Sequence, residues 1–330
     1  MNRVRAGEAP AVELPTIDQV IGRTPLVRLR HLDRGLAWPV WVKCEHLNPG
    51  GSVKDRLALA IVNAAEAAGE IAPGDTLVEA TAGNTGMGLA LVGRSRGYRL
   101  VCVMPEKMSQ DKREALRILG AQVVITPNVG PDHPEYFRTV AARLAEENGW
   151  YLTRQFTHPA NPEIHYQTTG PEIWQQSGGQ LAAFVAGVGT GGSLSGVGRY
   201  LKQQNPRVKV VLADPHGSQL AGLVLGRAVE DAAYQVEGIG SSRPPENLHS
   251  EVLDAVEVVS DQESFRVARE LIQTEGLWVG GSSGTVVAAA LRLASQPSTG
   301  GPVVALVTDS WDRYRSRDWL CCEPERLNCD

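Results

Sequence analysis

"LAAFVAGVGTGGSLSGVGRYLKQQNPRVKVVLAD" (181–214) decides the fold. Its first seven residues are an apolar run of strand length. A glycine-rich turn follows at 187–193, then a helix from Ser193 to Gln204, then a second apolar run at 208–214. Strand, tight loop, helix and strand in that order make a parallel β-α-β unit. The same order extends outward on both sides. Strands are predicted at 76–80, 99–104 and 121–126, with helices at 87–97, 109–120 and 134–149 between and after them. Ser109 is the N-cap of the second of these helices and Gly120 its stop. Beyond 214 come helices at 261–275 and 283–295 and a strand at 303–308. The fold class is therefore α/β, with mainly parallel sheets covered by helices on both faces. Ligands in such folds bind where strands end and helices begin, so the loops there carry the functional reading. The stretch 215–250 has little apolar periodicity and is expected to be irregular and functional.

The 330 residues are 42% apolar and 21% charged, with a net charge of −5. That length suggests two domains. No run of Lys and Arg offers a nucleic-acid surface, so no nucleic-acid partner is expected. No apolar run approaches the ~18 residues of a membrane span, so no membrane is expected either. The N-terminus lacks the apolar core of a secretory signal, and the five cysteines are an odd number, which points to a reducing cytoplasm. Cys44 and Cys102 sit in apolar surroundings and read as core residues. Cys321, Cys322 and Cys329 crowd the tail in no common zinc spacing, so no metal is expected.

Three loops carry chemistry. In "NPGGSVKDR" (48–56), Ser52 is expected to cap a helix running to about Ala68. Asp55 would complete a capping box, and Gly69 would close the helix. Val53, Leu57, Ile61 and Ala64 would form its buried face. Lys54 then lies in the first turn, where burial and the helix dipole both favour a neutral amine suited to Schiff-base chemistry. The competing reading is a solvated surface lysine. In "TAGNTG" (81–86), backbone N–H groups at a helix start offer a seat for a carboxylate or phosphate, with Thr81 and Thr85 as further donors and Asn84 as a donor to a ring oxygen. An ordinary turn would look the same. In "GVGTGGS" (187–193) two readings stand side by side. Gly187, Gly189 and Gly192 satisfy G-x-G-x-x-G, and Asp214 ends the next strand 22 residues beyond Gly192, as a dinucleotide site requires. The alternative is a cup of backbone amides around one phosphate, with Thr190 and Ser193 adding hydroxyls.

"NPGGSVKDR", "TAGNTG", "ANPEIHYQTTGPEIW" (160–174), "GVGTGGS", "VEGIG" (236–240) and "GGSSGT" (280–285) occur together in one order. Over residues 16–312 the chain resembles the cysteine synthase and cystathionine β-synthase family, pyridoxal-phosphate enzymes of the tryptophan-synthase-β type. The resemblance implies two three-layer αβα domains of fold type II. Residues 46–152 would be a smaller mobile domain, 12–45 with 153–315 a larger domain that binds the cofactor's phosphate, and 316–330 a tail. It implies pyridoxal 5'-phosphate as cofactor, with Lys54 as the catalytic lysine that forms the imine. Asn84 would meet the ring hydroxyl, Gly189, Thr190, Gly191, Gly192 and Ser193 the phosphate, and Ser282 the pyridine nitrogen. Thr81, Ala82, Gly83, Thr85, Gln155 and Gly238 would hold the amino-acid substrate. A serine at the pyridine nitrogen makes the ring a milder electron sink, suited to losing a β-substituent. The implied reaction is β-replacement on serine or an O-activated serine through an aminoacrylate, adding a thiol or sulfide to give cystathionine or cysteine, in a cytoplasmic homodimer.

The departures from the family lie where substrate is read. Ala82 stands where serine is usual. "SSRPP" (241–245) replaces more apolar residues and places Arg243 near the site mouth. His158 and Trp311 are also unusual. Cys44-Glu45, "VMPEKMS" (103–109) and Glu237 lean toward cystathionine β-synthase. Gln155-Phe156 and the 160–174 run lean toward cysteine synthase. Neither a haem-ligating extension nor a regulatory domain pair is expected, which leaves a bare catalytic core. The alternatives are a specialised β-replacement enzyme with another nucleophile, a non-catalytic relative, and a nicotinamide-dependent oxidoreductase using the 187–192 loop.

Overall fold

A computed structural model describes residues 14–81, 83–130 and 132–320 of the chain. Two sheets organise them. The larger holds β1 (Leu26–Arg28), β2 (Val40–Cys44), β7 (Ala183–Ala186), β8 (Lys209–Pro215), β9 (Ala255–Val259) and β10 (Val303–Val307), in the order β1-β2-β10-β7-β8-β9. Only β1 runs antiparallel to its neighbour. The smaller sheet, all parallel, orders β5 (Gln122–Thr126), β4 (Arg99–Pro105), β3 (Thr76–Ala80) and β6 (Tyr151–Leu152). The chain leaves the larger sheet after β2 and returns to it after β6. The strands β1, β2, β6 and β9 lie outside the alternation that reveals the others.

Both sheets are three-layered, and the period-2 geometry of strands explains how. In the smaller sheet, Leu77, Leu100, Cys102 and Met104 face α1 (Lys54–Ala67), α2 (Asn84–Arg96) and α3 (Gln110–Ile118). Their neighbours Val78, Val101 and Val103 face α4 (Phe137–Asn148) through Val140, Ala141 and Ala145. In the larger sheet, Val185, Val211 and Ala305 pack on α9 (Asp261–Thr274) and α10 (Gly281–Ala294). Phe184, Leu212 and Leu306 pack on α6 (Gly170–Gln176) and α7 (Gly192–Gln204). Strands buried on both faces read as unbroken apolar runs, which is why the sequence reveals them.

Ser109 caps α3 as expected, accepting from the Lys112 N–H. The first turn of α1 differs. That helix begins at Lys54, and no capping box forms. Ser52 Oγ accepts the Lys54 N–H at 3.3 Å, while Asp55 Oδ2 turns back to the Gly50 N–H at 2.6 Å. Long-range pairing causes this. Val53 N–H donates to the Thr308 carbonyl at 2.8 Å, and Ser310 N–H to the Gly51 carbonyl at 3.1 Å, so the loop is held as an extended rung beside the end of β10. The buried stripe is Leu57, Ala58, Ile61, Val62 and Ala65; Ala64 is exposed. Helices α2 and α10 start earlier than expected, at Asn84 and Gly281, which brings Asn84 and Ser282 into their first turns. The irregular stretch after β8 contains a short helix, α8 (Leu220–Leu225). Between α5 (Ala160–Ile164) and α6 the helix widens into a π-helical turn over His165–Thr169. No described helix is long and apolar enough to cross a membrane.

Candidate active site

The C-terminal ends of β3, β7 and β10 open onto one cavity of about 1200 Å³ between the two sheets. All three motif loops line it: Lys54 from the first, Thr81, Gly83, Asn84 and Thr85 from the second, Gly189, Thr190, Gly191 and Ser193 from the third. Gln155, Gly238 and Ser282 line it too, and Gly192 starts α7 behind the cup. Ala82 lies outside the described residues, as do Cys321, Cys322 and Cys329.

Lys54 is held from three sides. Gly51 has φ +76°, and a Cβ there would meet Arg313 Nη1 at 2.7 Å; a Cβ on Gly50 would meet Asp55 Oδ1 at 2.5 Å. The two glycines are thus clasped between an arginine and a carboxylate, and only residues without a Cβ fit. On the far side, Gly88 of α2 lets α1 approach so closely that an added Cβ would sit 2.9 Å from the Lys54 carbonyl oxygen. Burial pushes the Lys54 ammonium below its ordinary pKa, partly offset by the charge of Asp309. A neutral amine is the form that attacks a carbonyl carbon.

Asp309 ends the β10 loop. Its Oδ2 accepts Asn84 Nδ2 at 2.8 Å and the Tyr314 hydroxyl at 2.7 Å. Asn84 Oδ1 and Asp309 Oδ1 are buried and have no hydrogen-bond partner among the described residues. Ser282 Oγ and Thr308 Oγ1 stand 3.0 Å apart. Opposite them, the glycine cup has its back against protein. A Cβ on Gly189 would meet the Gly238 carbonyl at 2.3 Å, and one on Gly192 would meet Asn161 Oδ1 at 1.9 Å. Ser193 Oγ pairs with His165 Nε2 at 3.0 Å, and His165 Nδ1 with Thr169 Oγ1 at 2.9 Å. Burial holds His165 neutral by lowering its pKa to about 3. Asn161 Nδ2 donates to Thr190 Oγ1 at 2.9 Å.

The second loop turns much of its polarity inward. Thr81 Oγ1 accepts the Gly83 N–H at 2.9 Å, and Thr85 Oγ1 donates to Gln155 Oε1 at 2.6 Å. Gly83 has φ +129°, where a side chain is strained and would strike Lys112. Lys112 in turn reaches Glu237 Oε2 at 2.6 Å, and Glu237 also pairs with Arg317. Asp309, Thr308, His165 and the Lys112–Glu237 pair escaped the sequence reading. Asp309 had a usable signal, since it follows directly on a strand's C-terminal end. Asp214 does not serve a dinucleotide. Its side chain is fully buried and Oδ2 accepts the Ala221 N–H at 2.8 Å.

The residues match the family model described as pyridoxal-phosphate dependent enzyme over 17–309. The chain belongs to this family. It is 42% identical over 301 residues to a cysteine synthase of Staphylococcus aureus (strain Mu50 / ATCC 700699), covering 91% of this chain and 95% of that one. It is 44% identical over 308 residues to cystathionine beta-synthase of Mus musculus, covering 92% of this chain and 55% of the mouse protein. Among solved structures, O-ureido-L-serine synthase superposes with a TM-score of 0.88 at 38% identity, covering 96% of this chain and 98% of that one. The chain is thus a fold type II, pyridoxal-phosphate-dependent enzyme of the cysteine synthase-like β-replacement group. Its cavity fits that cofactor: a lysine biased toward the neutral amine, a backed glycine cup for a phosphate, and a buried Asn84 oxygen with no partner among the described residues.

Proposed function

We propose that the cofactor and the substrate share the cavity as follows. Lys54 holds the cofactor's carbonyl carbon and Gly189–Ser193 its phosphate. Asn84 meets the ring hydroxyl, and Ser282, paired with Thr308, meets the pyridine nitrogen. Thr81, Ala82, Gly83, Thr85, Gln155 and Gly238 enclose the amino acid and its carboxylate. When bound, pyridoxal phosphate supplies an electron sink that lets an amino acid lose its α-proton and a β-substituent. Lys54, freed once the substrate's amine has replaced it at the cofactor's carbonyl carbon, would take the proton from Cα and return it there after the new bond forms at Cβ. Residues 46–152 act as the smaller mobile domain, and 12–45 with 153–315 as the larger. Closure of the smaller one over the substrate keeps water out.

The reaction on this reading is replacement of the hydroxyl or activated oxygen of serine by a thiol or sulfide, giving cystathionine or cysteine, in a cytoplasmic homodimer. One observation carries the reading: Lys54 lines the cavity from the start of α1, directly after a loop pinned to the end of β10, and Ser282 and Thr308 line the same cavity. A second reading has support in the O-ureido-L-serine synthase likeness, namely a specialised enzyme that adds an oxygen or nitrogen nucleophile. Arg243 at the cavity mouth is exposed and suits a second substrate with an anionic end.

The deciding experiment incubates the purified holoenzyme with serine, O-acetylserine and O-phosphoserine against sulfide, homocysteine and hydroxylamine-type nucleophiles. Products are read by mass spectrometry. A sulfur product supports the first reading and an oxygen- or nitrogen-linked product the second. No product with any pair, in a protein that holds cofactor, would sink both.

A further inference from the structure

Glu79 is a carboxylate with no salt bridge among the described residues, buried in the middle of the smaller sheet. It is 1% exposed, on β3, two residues before the loop that begins at Thr81. Burying such a group costs free energy unless its acceptors are filled, and an apolar residue would suit the core position better. Two of the three hydrogen bonds it accepts from the described residues come from one residue. Glu79 Oε1 accepts Gln155 Nε2 at 2.9 Å, and Oε2 accepts the Gln155 N–H at 3.3 Å. Thr153 Oγ1 completes the set. The second amide proton of Gln155 goes to the Ala80 carbonyl at 2.8 Å.

These bonds leave Gln155 a single orientation. Its nitrogen must face Glu79, so its oxygen must face Thr85, whose hydroxyl it accepts. Thr85 stands in the first turn of α2, where helix N–H groups lack intrahelical partners and can receive a carboxylate. From the other end, the Gln155 carbonyl accepts Asn161 Nδ2 at 2.8 Å and Asn247 Nδ2 at 3.1 Å, and Asn161 also holds Thr190 of the glycine cup. Gln155 is thus a junction between the loop of the smaller sheet and the cup of the larger one. Glu79, together with the Ala80 carbonyl, fixes its side chain.

We propose that Glu79 is a positioning residue for the substrate's carboxylate, acting through Gln155 on Thr85 and the first turn of α2 without touching the substrate. This rests on the reading of the 81–85 loop as the carboxylate seat. A Glu79→Gln substitution keeps the size but brings an NH₂ against the donors of Gln155 and Thr153; Glu79→Ala removes the acceptors altogether.

The test titrates holoenzyme with serine and O-acetylserine and reads the change in the cofactor's visible absorbance as a dissociation constant for the amino acid. Cofactor affinity is measured separately. Both Glu79 variants should bind the amino acid about tenfold more weakly, with cofactor affinity within about twofold of wild type. In a Gln155→Ala background, Glu79→Gln should add no further loss, a non-additivity that general destabilisation does not produce. Equal amino-acid affinity in wild type and variants overturns the proposal. So does full additivity with Gln155→Ala, and so does failure of both variants to retain cofactor, which would assign Glu79 to the fold alone. A wild-type holoenzyme that responds to no amino acid overturns the reading of the loop, a different outcome visible before any variant is made.

Discussion

Asn84 Nδ2 donates to Asp309 Oδ2 at 2.8 Å, tying the start of α2 to the loop that follows β10. These two residues follow strands of different sheets, β3 and β10, and both border the cavity. Asp309 also raises the pKa of Lys54 against the stronger lowering by burial. Asp309→Asn removes that charge and keeps the shape. The Lys54 amine should then be neutral over a wider range. The rate of pyridoxal phosphate uptake by apoenzyme, plotted against pH, should shift its acid limb to lower pH. An unmoved limb would show that Asp309 does not act on Lys54.

Gly88→Ala tests the packing that sets the start of α1. The new Cβ would lie 2.9 Å from the Lys54 carbonyl oxygen and 3.2 Å from Asp55 Cα, both backbone atoms. Overpacking of this kind costs about 1–3 kcal/mol. The displaced segment carries Lys54, so cofactor affinity should fall along with thermal stability. Gly93→Ala, whose Cβ would meet nothing closer than 3.5 Å, is the control on the same helix and should retain the cofactor.

Arg56 lies two residues beyond Lys54 and is almost fully buried. It pairs with Glu45 at 2.7 Å and with Glu172 at 2.7 Å, and Lys43 joins Glu172 at 2.7 Å. Arg56→Ala strands buried carboxylates and should cost about 3–5 kcal/mol by denaturant titration. Arg199→Ala, which breaks a partly exposed pair with Glu163, should cost no more than about 1 kcal/mol.

The same cluster sets part of the acid response. Against the desolvation that raises it, the Arg56 charge and hydrogen bonds hold the Glu45 carboxyl down at about 2, below its ordinary 4.5. A carboxylate depressed on folding contributes stability that is complete above its unfolded value and lost as pH falls through the folded one. Glu45 therefore contributes above about 4.5, and that share disappears toward pH 2. Acid unfolding of Arg56→Ala, followed by circular dichroism, should begin at higher pH than in wild type. Coincident acid transitions would contradict this assignment.

Arg243→Glu addresses the second substrate. Arg243 is exposed at the cavity mouth. The reversal should raise KM for a nucleophile with an anionic end by about fivefold or more, in a manner weakened by salt. KM for the amino-acid donor should hold steady. Equal effects on both substrates would argue for a general change in the mouth.

The sequence by itself determined the layers and the loops. Strands buried on both faces are apolar runs, and α3 carries its own cap at Ser109 and its stop at Gly120, so these features are local. The glycine-rich loop at 189–193 and the lysine of "NPGGSVKDR" are legible for the same reason, whereas α2 starts at Asn84, ahead of the 87 expected. Tertiary structure decided which polar groups share one cavity. The spacing of Ser52 and Asp55 permits a capping box; pairing of residues 51–53 with 308–310 sends Asp55 to Gly50 instead. Glu79 looked like any strand residue until Gln155, 76 positions away, took its carboxylate, and Asp309 acquired its role from Asn84, 225 positions away. Local propensity follows from neighbours in the chain. A buried hydrogen bond or charge takes its value from partners that only the folded arrangement supplies.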